Sequence, residues 1–416
     1  MSKPENSFLL SNVQILNTET GEMDDARHVL VADGVIQELS AKPIAAPNAQ
    51  RIDLEGMTLM PGLIDCHVHV VAGIASLGGS ALFPDSLVTA RAARIMHGML
   101  MRGFTTVRDV GGADHGLVAA IEEGSMLGPR LVICGKALSQ TGGHADLRGR
   151  FDGRDPALLS SRLGALGRVC DGVPEVRRAA REEIKGGADF VKIMANGGVA
   201  SPTDPIHFLG FARDEIIATV EEAQAAGTYV AAHLYTDEAI RRAVECGVVS
   251  VEHGNLVSAA TARLMQSKGA FAVPTLVTYE YLEKEGASLG LPAVSIAKIA
   301  KVRDGGLASL ETFKAAGVPM GFGTDLLGEM HRHQSDEFTI RARVLAASEI
   351  IRSATDIAAG ICGMTGRIGV IAAGALADLI VVDGDPLADL ALLAGQGRHM
   401  PVIMKAGKLY KDALSD

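Results

Sequence analysis

Apolar positions along this chain follow two different rhythms. Over residues 7–60, and again over 375–386 and 400–411, they come in short alternating runs separated by turn residues. In HVLVADGVIQEL, Val29, Leu30 and Val31 and then Val35 and Ile36 flank Asp33-Gly34, a pattern that predicts two half-buried strands joined by a hairpin. From 61 to 371 short β-branched runs alternate with Ala- and charge-rich stretches of helical character, such as RDEIIATVEEAQAAG and DEAIRRAVECG. The strand candidates are GLIDCHVHV, FTTVRDV (104–110), RLVICGK (130–136), DFVKIMAN (189–196), TYVAAHLY (228–235), VVSVEHG (248–254), GAFAVPTLV (269–277) and VPMGFGTD (318–325). Eight strand–helix units over this length predict a closed (β/α)8 TIM barrel. An open doubly wound sheet would be expected to carry a GxGxxG turn after its first strand, and none follows GLIDCHVHV. The expected domains are therefore a β-rich part at 1–60, the barrel at 61–371 and a second β-rich part at 372–416.

Charged and ionisable groups inside those apolar strands change the picture. Positions i and i+2 of a strand project together, so His67 and His69 share a face and Cys66 turns to the other. Read in order, the later strand ends carry Lys192, His233, His253 and Asp325. Strand ends of one barrel meet at its C-terminal face, so these groups converge where such barrels do their chemistry.

Composition narrows the function classes. The chain has 416 residues, 48% hydrophobic and 21% charged, enough for a sizeable core. A net charge of −10 without a basic stripe argues against nucleic acid as a partner. The start MSKPENSFLLSNVQIL lacks the features of a secretory signal. The uncharged stretch from Cys66 to Pro84 is long enough for a membrane span, but it would bury His67 and His69 in lipid, so no membrane segment is expected. Five cysteines without a CxxC pair suit a reduced, cytoplasmic protein.

The stretches LMPGLIDCHVHV, FVKIMANGG, AAHLYTDEAI, VEHG, GFGTD and ALADLIVVDGDPL carry that whole residue set and resemble the amidohydrolase superfamily, binuclear metal type. The likeness covers roughly residues 8 to 411 and implies that both β-rich ends form one composite β-sandwich. It further implies that His67 and His69 hold one divalent ion with Asp325, that His233 and His253 hold the other, and that Lys192, carboxylated by carbon dioxide, bridges them. Zinc suits imidazole and oxygen ligands, and cobalt or manganese would also fit. An ammonium would be repelled by two cations, whereas a carbamate leaves the site at about +1.

Three stretches, SQTGGHAD, NGGVASPTDP and HLYTDE, resemble the prolidase-like metallo-dipeptidase branch, to which imidazolonepropionase is related. There the counterparts of His144 and Tyr235 bind and polarise the scissile carbonyl, and that of Asp325 takes a proton from the attacking water and passes it to the leaving amine. The implied substrate is a small-molecule amide: an Xaa-Pro-like dipeptide or an N-acyl amino acid. An aromatic N-acyl amino acid such as a phenylalanine-linked toxin, or a cyclic amide, are alternatives. A non-catalytic scaffold on this fold would be expected to lose ligands, and all six are present. Homo-oligomers are common among the look-alikes.

Other residues are less patterned. His207 sits in a loop near the site and is a candidate substrate contact. Asp109, at the end of the second strand, either orients a ligand or caps the turn. The second HxH, His331 and His333 in GEMHRHQSDEF, reads as a solvated loop. Glycines 142–143 and 197–198 fit close backbone approach or simple turns.

Overall fold

Both β-rich ends form strands, as their alternation requires. The computed structural model describes residues 7–25, 27–201, 203–290 and 293–414. One sheet places Val35–Ser40, His28–Ala32, Phe8–Ser11 and Gln50–Asp53 side by side. A second runs Lys408–Asp412, Val402–Lys405, Leu379–Val382, Thr58–Pro61, Gln14–Asn17 and Glu22–Met23. The two chain ends meet in this sheet, where Leu379–Val382 pairs antiparallel with Thr58–Pro61. Leu10, Ile15, Val29, Leu59, Val381 and Met404 share the core of this β-sandwich. The hairpin forms where expected: Ala32 pairs with Val35, and Asp33 and Gly34 take φ of 54° and 78°, the pair of positive values a two-residue type I′ turn needs. These strands lie in a unit formed by the described residues of Met1–Asp65, His97–Val107 and Ser335–Asp416.

The second unit, Cys66–Met96 and Arg108–Gln334, holds the site. The barrel strands are β1 (Leu63–Val68), β2 (Phe104–Asp109), β3 (Arg130–Ile133, resumed as Ala137–Ser139), β4 (Val191–Met194), β5 (Val230–Thr236), β6 (Ser250–Leu256) and β7 (Phe271–Val273). Helices α1 (Asp85–Met101), α2 (His115–Glu122), α3 (Gly172–Lys185), α4 (Arg213–Ala225), α5 (Asp237–Glu245) and α6 (Ala259–Ser267) follow β1 to β6 in turn. Two helices, α7 (Leu276–Glu285) and α8 (Ala293–Ala316), follow β7. The ladders from β4 to β7 are parallel.

The eighth expected strand is not a ladder. In residues 318–325 Met320 alone bridges to Ala272, the Gly321 N–H donates to Ala272 O, and Phe322 O accepts from Cys66 N–H at 2.7 Å. Pro319 has no N–H to offer, and a Cβ at Gly323 would stand 2.6 Å from Val273 Cγ1. This segment nevertheless closes the (β/α)8 barrel between β7 and β1. On the outside of the barrel Val191, Ile193, Leu234 and Val251 pack with Val176, Ile216 and Ile240 of the helices, each such side chain contributing about 1.5–3 kcal/mol of burial. Strand alternation then turns Lys192 and His233 inward. None of the five cysteines is in a disulfide, and none of the described helices is long and apolar enough to cross a membrane.

Candidate active site

The six residues expected at the strand ends line one cleft of about 610 Å³. His67 and His69 stand on β1 and the turn after it, Lys192 on β4, His233 on β5 and His253 on β6. Simple alternation would send His253 outward, because its neighbour Val251 packs outside. Its left-handed backbone, φ 70°, returns the ring to the cleft, and Asp325 is brought in by a φ of 52°. Such conformations cost non-glycine residues about 1–3 kcal/mol each and gather at functional sites.

The donor chemistry fits divalent ions. His67 Nδ1 lies 2.7 Å from Glu252 Oε2, and His69 Nδ1 lies 2.9 Å from Gly111 O. Both partners are pure acceptors, so in the neutral imidazoles Nδ1 carries the proton and Nε2 a lone pair. The two Nε2 atoms then face the same oxygen, Asp325 Oδ1, at 3.5 and 3.3 Å. Two nitrogens this close to a carboxylate oxygen call for positive charge among them, a metal cation or a proton on an imidazole; burial lowers the pKa of His69, but Asp325 more than offsets this and raises it. Ligand atoms of His67, His253 and Asp325 lie within 4.8 Å of one another, and the His233 and His253 rings are 4.7 Å apart. Burial drives the pKa of His233 and of His253 well below the usual histidine range, which keeps both in the neutral form that ligates. For Asp325 burial works the other way, but a protonated imidazole beside it outweighs burial and holds the carboxylate ionised.

A network beneath the rings holds them. Arg108 on β2 donates to Glu252 Oε1 at 2.6 Å and to Cys66 O at 2.6 Å, and Ser250 Oγ donates to the same Glu252 oxygen. Burial would neutralise Glu252, yet Arg108 and His67 hold its pKa well below the carboxylate range. Arg108 and Glu252 are both 0% exposed, so Arg108→Met should strand a buried carboxylate and cost about 3–5 kcal/mol. Chemical denaturation of the variant measures this, and a loss under about 1 kcal/mol would show that the pair does not carry the load assigned to it. Asp109 proves to be a turn cap that also acts on a ring. Its carboxylate accepts from the N–H groups of Val70, Gly111 and Ala113, which fixes the Gly111 carbonyl that His69 Nδ1 addresses.

His144 and Tyr235 reach the same cleft. The His144 ring stacks on His233 with centroids 4.1 Å apart. Tyr235 Oη accepts from Tyr279 Oη at 3.0 Å, which leaves the Tyr235 proton free to point elsewhere. Burial raises the pKa of both phenols and keeps them protonated. Apolar wall is supplied by Leu77, Leu147, Leu166, Val199, Leu282 and Leu327. His207 is exposed, with its ring edge-on to Phe208, and it is not among the residues that line this cleft. The second HxH is no solvated loop. It lies in the 3-10 helix Gly328–His333, where His331 is buried against Ala72 O and His333 stacks on Tyr281 with Nε2 2.9 Å from Glu285.

A (β/α)8 barrel that gathers imidazoles, a lysine and a carboxylate in one cleft has the frame of a hydrolase. Residues 58–409 match the amidohydrolase family, and the chain belongs to that family, in its prolidase-like branch. It is similar to the ochratoxinase of Aspergillus niger, 32% identical over 366 residues, which cover 85% of this chain and 75% of that protein. It is also similar to a prolidase crystallised with N-methylphosphonate-L-proline, at 53% identity and a TM-score of 0.96, covering 98% of this chain and 100% of that one. A Xaa-Pro dipeptidase crystallised with methionine in its active site gives 30% identity and a TM-score of 0.86, covering 97% and 100%. The family and these relatives make the chain a hydrolase acting on carbon–nitrogen bonds.

Proposed function

We propose that the chain is a binuclear metal-dependent amidohydrolase that cleaves Xaa-Pro-like dipeptides or N-acyl amino acids. The observation that carries this reading is the convergence of the His67 and His69 Nε2 atoms on Asp325 Oδ1, in a cleft that also receives His233, His253 and Lys192. His67, His69 and Asp325 would hold one ion, His233 and His253 the other, with Lys192 between them as a carbamate. When bound, the ions would supply Lewis acidity that polarises the carbonyl and acidifies water. Asp325 would take the proton from the attacking water and deliver it to the leaving amine. Tyr235 and His144 would donate to the carbonyl oxygen as it gains charge. The leucine and valine wall would receive apolar side chains and exclude bulk water.

The relatives named as a prolidase and a Xaa-Pro dipeptidase support the dipeptide reading. The relative named as an ochratoxinase shows that the likeness extends beyond proteins named as peptidases, and the apolar wall favours an aromatic N-acyl amino acid as the second reading. Zinc-loaded protein should be screened against free dipeptides, N-acyl amino acids, their C-terminal amides, and cyclic imides or lactams. Free carboxylates are expected to be preferred, because a site near +1 draws an anion in while the carbonyl is aligned. Equal rates on free and amidated compounds would remove the carboxylate argument, and preference for the cyclic ones would move the chain to a different amide class. On the best substrate Tyr235→Phe should lower kcat by roughly 10²-fold with little change in KM.

A further inference from the structure

His144 sits on a loop, where a side chain holds its place only through its surroundings. Besides the stack on His233, its ring packs against Gly198, where a Cβ would stand 1.8 Å from His144 Cε1. At the ring edge, His144 Nδ1 lies 2.6 Å from Ser201 Oγ and 3.2 Å from Asp204 Oδ2. The same Asp204 oxygen accepts the Gly198 N–H at 2.8 Å. Asp204 is 1% exposed. Burial opposes its ionisation, but His144 and Ser201 prevail and its pKa stays below the usual carboxylate range. An ionised carboxylate only accepts, so His144 Nδ1 must carry the proton and Nε2 is left for the cleft. The segment bearing these residues is tethered from outside the cleft: Lys298 of α8 donates to the carbonyls of Gly198, Ser201 and Asp204 at 2.9, 3.1 and 3.0 Å.

We propose that Asp204 is a positioning residue that acts through His144, holding the ring in plane with Nδ1 protonated and supplying countercharge when the ring takes a second proton and Nε2–H donates to the substrate carbonyl. Lys298 holds Asp204 in place by binding the three carbonyls around it. The proposal rests on the reading that His144 acts at the carbonyl. A carboxylate that merely closed the loop would serve as well with its charge removed, since an asparagine oxygen can still accept the Gly198 N–H. The difference decides the test.

Steady-state rates of the zinc-loaded protein should be compared for wild type, Asp204→Asn, His144→Ala and the double variant. Asp204→Asn is expected to lower kcat about 10–100-fold while KM moves less than about threefold. In the His144→Ala background the same substitution should change kcat by less than about twofold, because residues that act as one unit are not additive. Equal losses in both backgrounds would overturn the proposal and leave Asp204 a structural residue. A fully active His144→Ala would overturn it together with the role given to His144. Should no amide prove to be a substrate, the proposed reaction fails, but the ring still reports on Asp204. Nitrogen NMR of histidine-labelled protein should show His144 protonated at Nδ1 in the wild type and no longer held so in Asp204→Asn; an unchanged tautomer would refute the positioning role. Lys298→Met, which touches neither cleft nor ligands, gives the same comparison if Asp204→Asn does not fold. Its kcat loss should likewise vanish in the His144→Ala background, and persistence of that loss would refute the tether.

Discussion

Asp325→Asn is expected to lower kcat/KM by roughly 10³-fold or more, since one carboxylate serves as ligand and as proton carrier. The geometry makes the side chain hard to replace. Its Oδ1 is the point on which the His67 and His69 Nε2 atoms converge, and its Oδ2 lies 4.0 Å from His253 Nδ1. An amide keeps the volume and one oxygen but removes the negative charge that the ions require, and it cannot take up a proton near neutral pH. The fold should survive, because Asp325 belongs to no ladder; its backbone N–H bond to His67 O at 2.8 Å is kept by any residue. Relief of the left-handed strain costs nothing here, since asparagine tolerates positive φ about as well as aspartate. Elemental analysis of the same preparations should show reduced metal content alongside the rate loss. Activity within about tenfold of wild type would remove Asp325 from the reaction.

The two rhythms of the chain made the barrel and the strand ends legible, because period-2 alternation states which side chains share a face. His67 and His69, Lys192 and His233 follow that rule directly. His253 and Asp325 were legible only by position at the ends of apolar runs, since their place in the cleft depends on left-handed backbone that alternation does not anticipate. Arg108 and Glu252 were passed over. Each sits in a strand beside another ionisable residue, Asp109 or His253, and the partner that makes it intelligible lies 144 positions away. Tyr279 was not singled out, and only the fold brings its hydroxyl to Tyr235 and His253. The Asp204 carboxylate lies in a glycine-rich loop with no period to read. His331 and His333 show the converse error: a polar neighbourhood in sequence suggested solvent, but Ala72, Tyr281 and Glu285 surround the two rings in space. Polar clusters separated by long stretches of chain are products of tertiary contact, so local pattern carries little of their signal.

Lys192→Ala is expected to deprive the site of both metal and activity, and a short carboxylic acid such as acetate or propionate should restore part of each. Lys192 is 1% exposed in the middle of β4, and its neighbours Val191 and Ile193 belong to the outer core. No hydrogen bond or ion pair to its Nζ is formed among the described residues. A buried ammonium left so would be costly, and burial indeed pushes the lysine pKa down, with Glu252 and Asp325 only partly opposing. The neutral amine is the form that combines with carbon dioxide, giving an anionic carbamate whose oxygens can ligate. Alanine keeps β4 intact, because the strand is paired through backbone groups along Val191 to Met194, and it opens a space about the size of a lysine tail below the ligands. A small carboxylate entering that space would offer the oxygens the carbamate offers, whereas a primary amine of similar length would not. Rescue by acids but not by amines is therefore the expected pattern, read in metal content as well as rate. A Lys192→Ala protein that retained both ions and its full rate without added acid would show that the lysine plays no part in holding them.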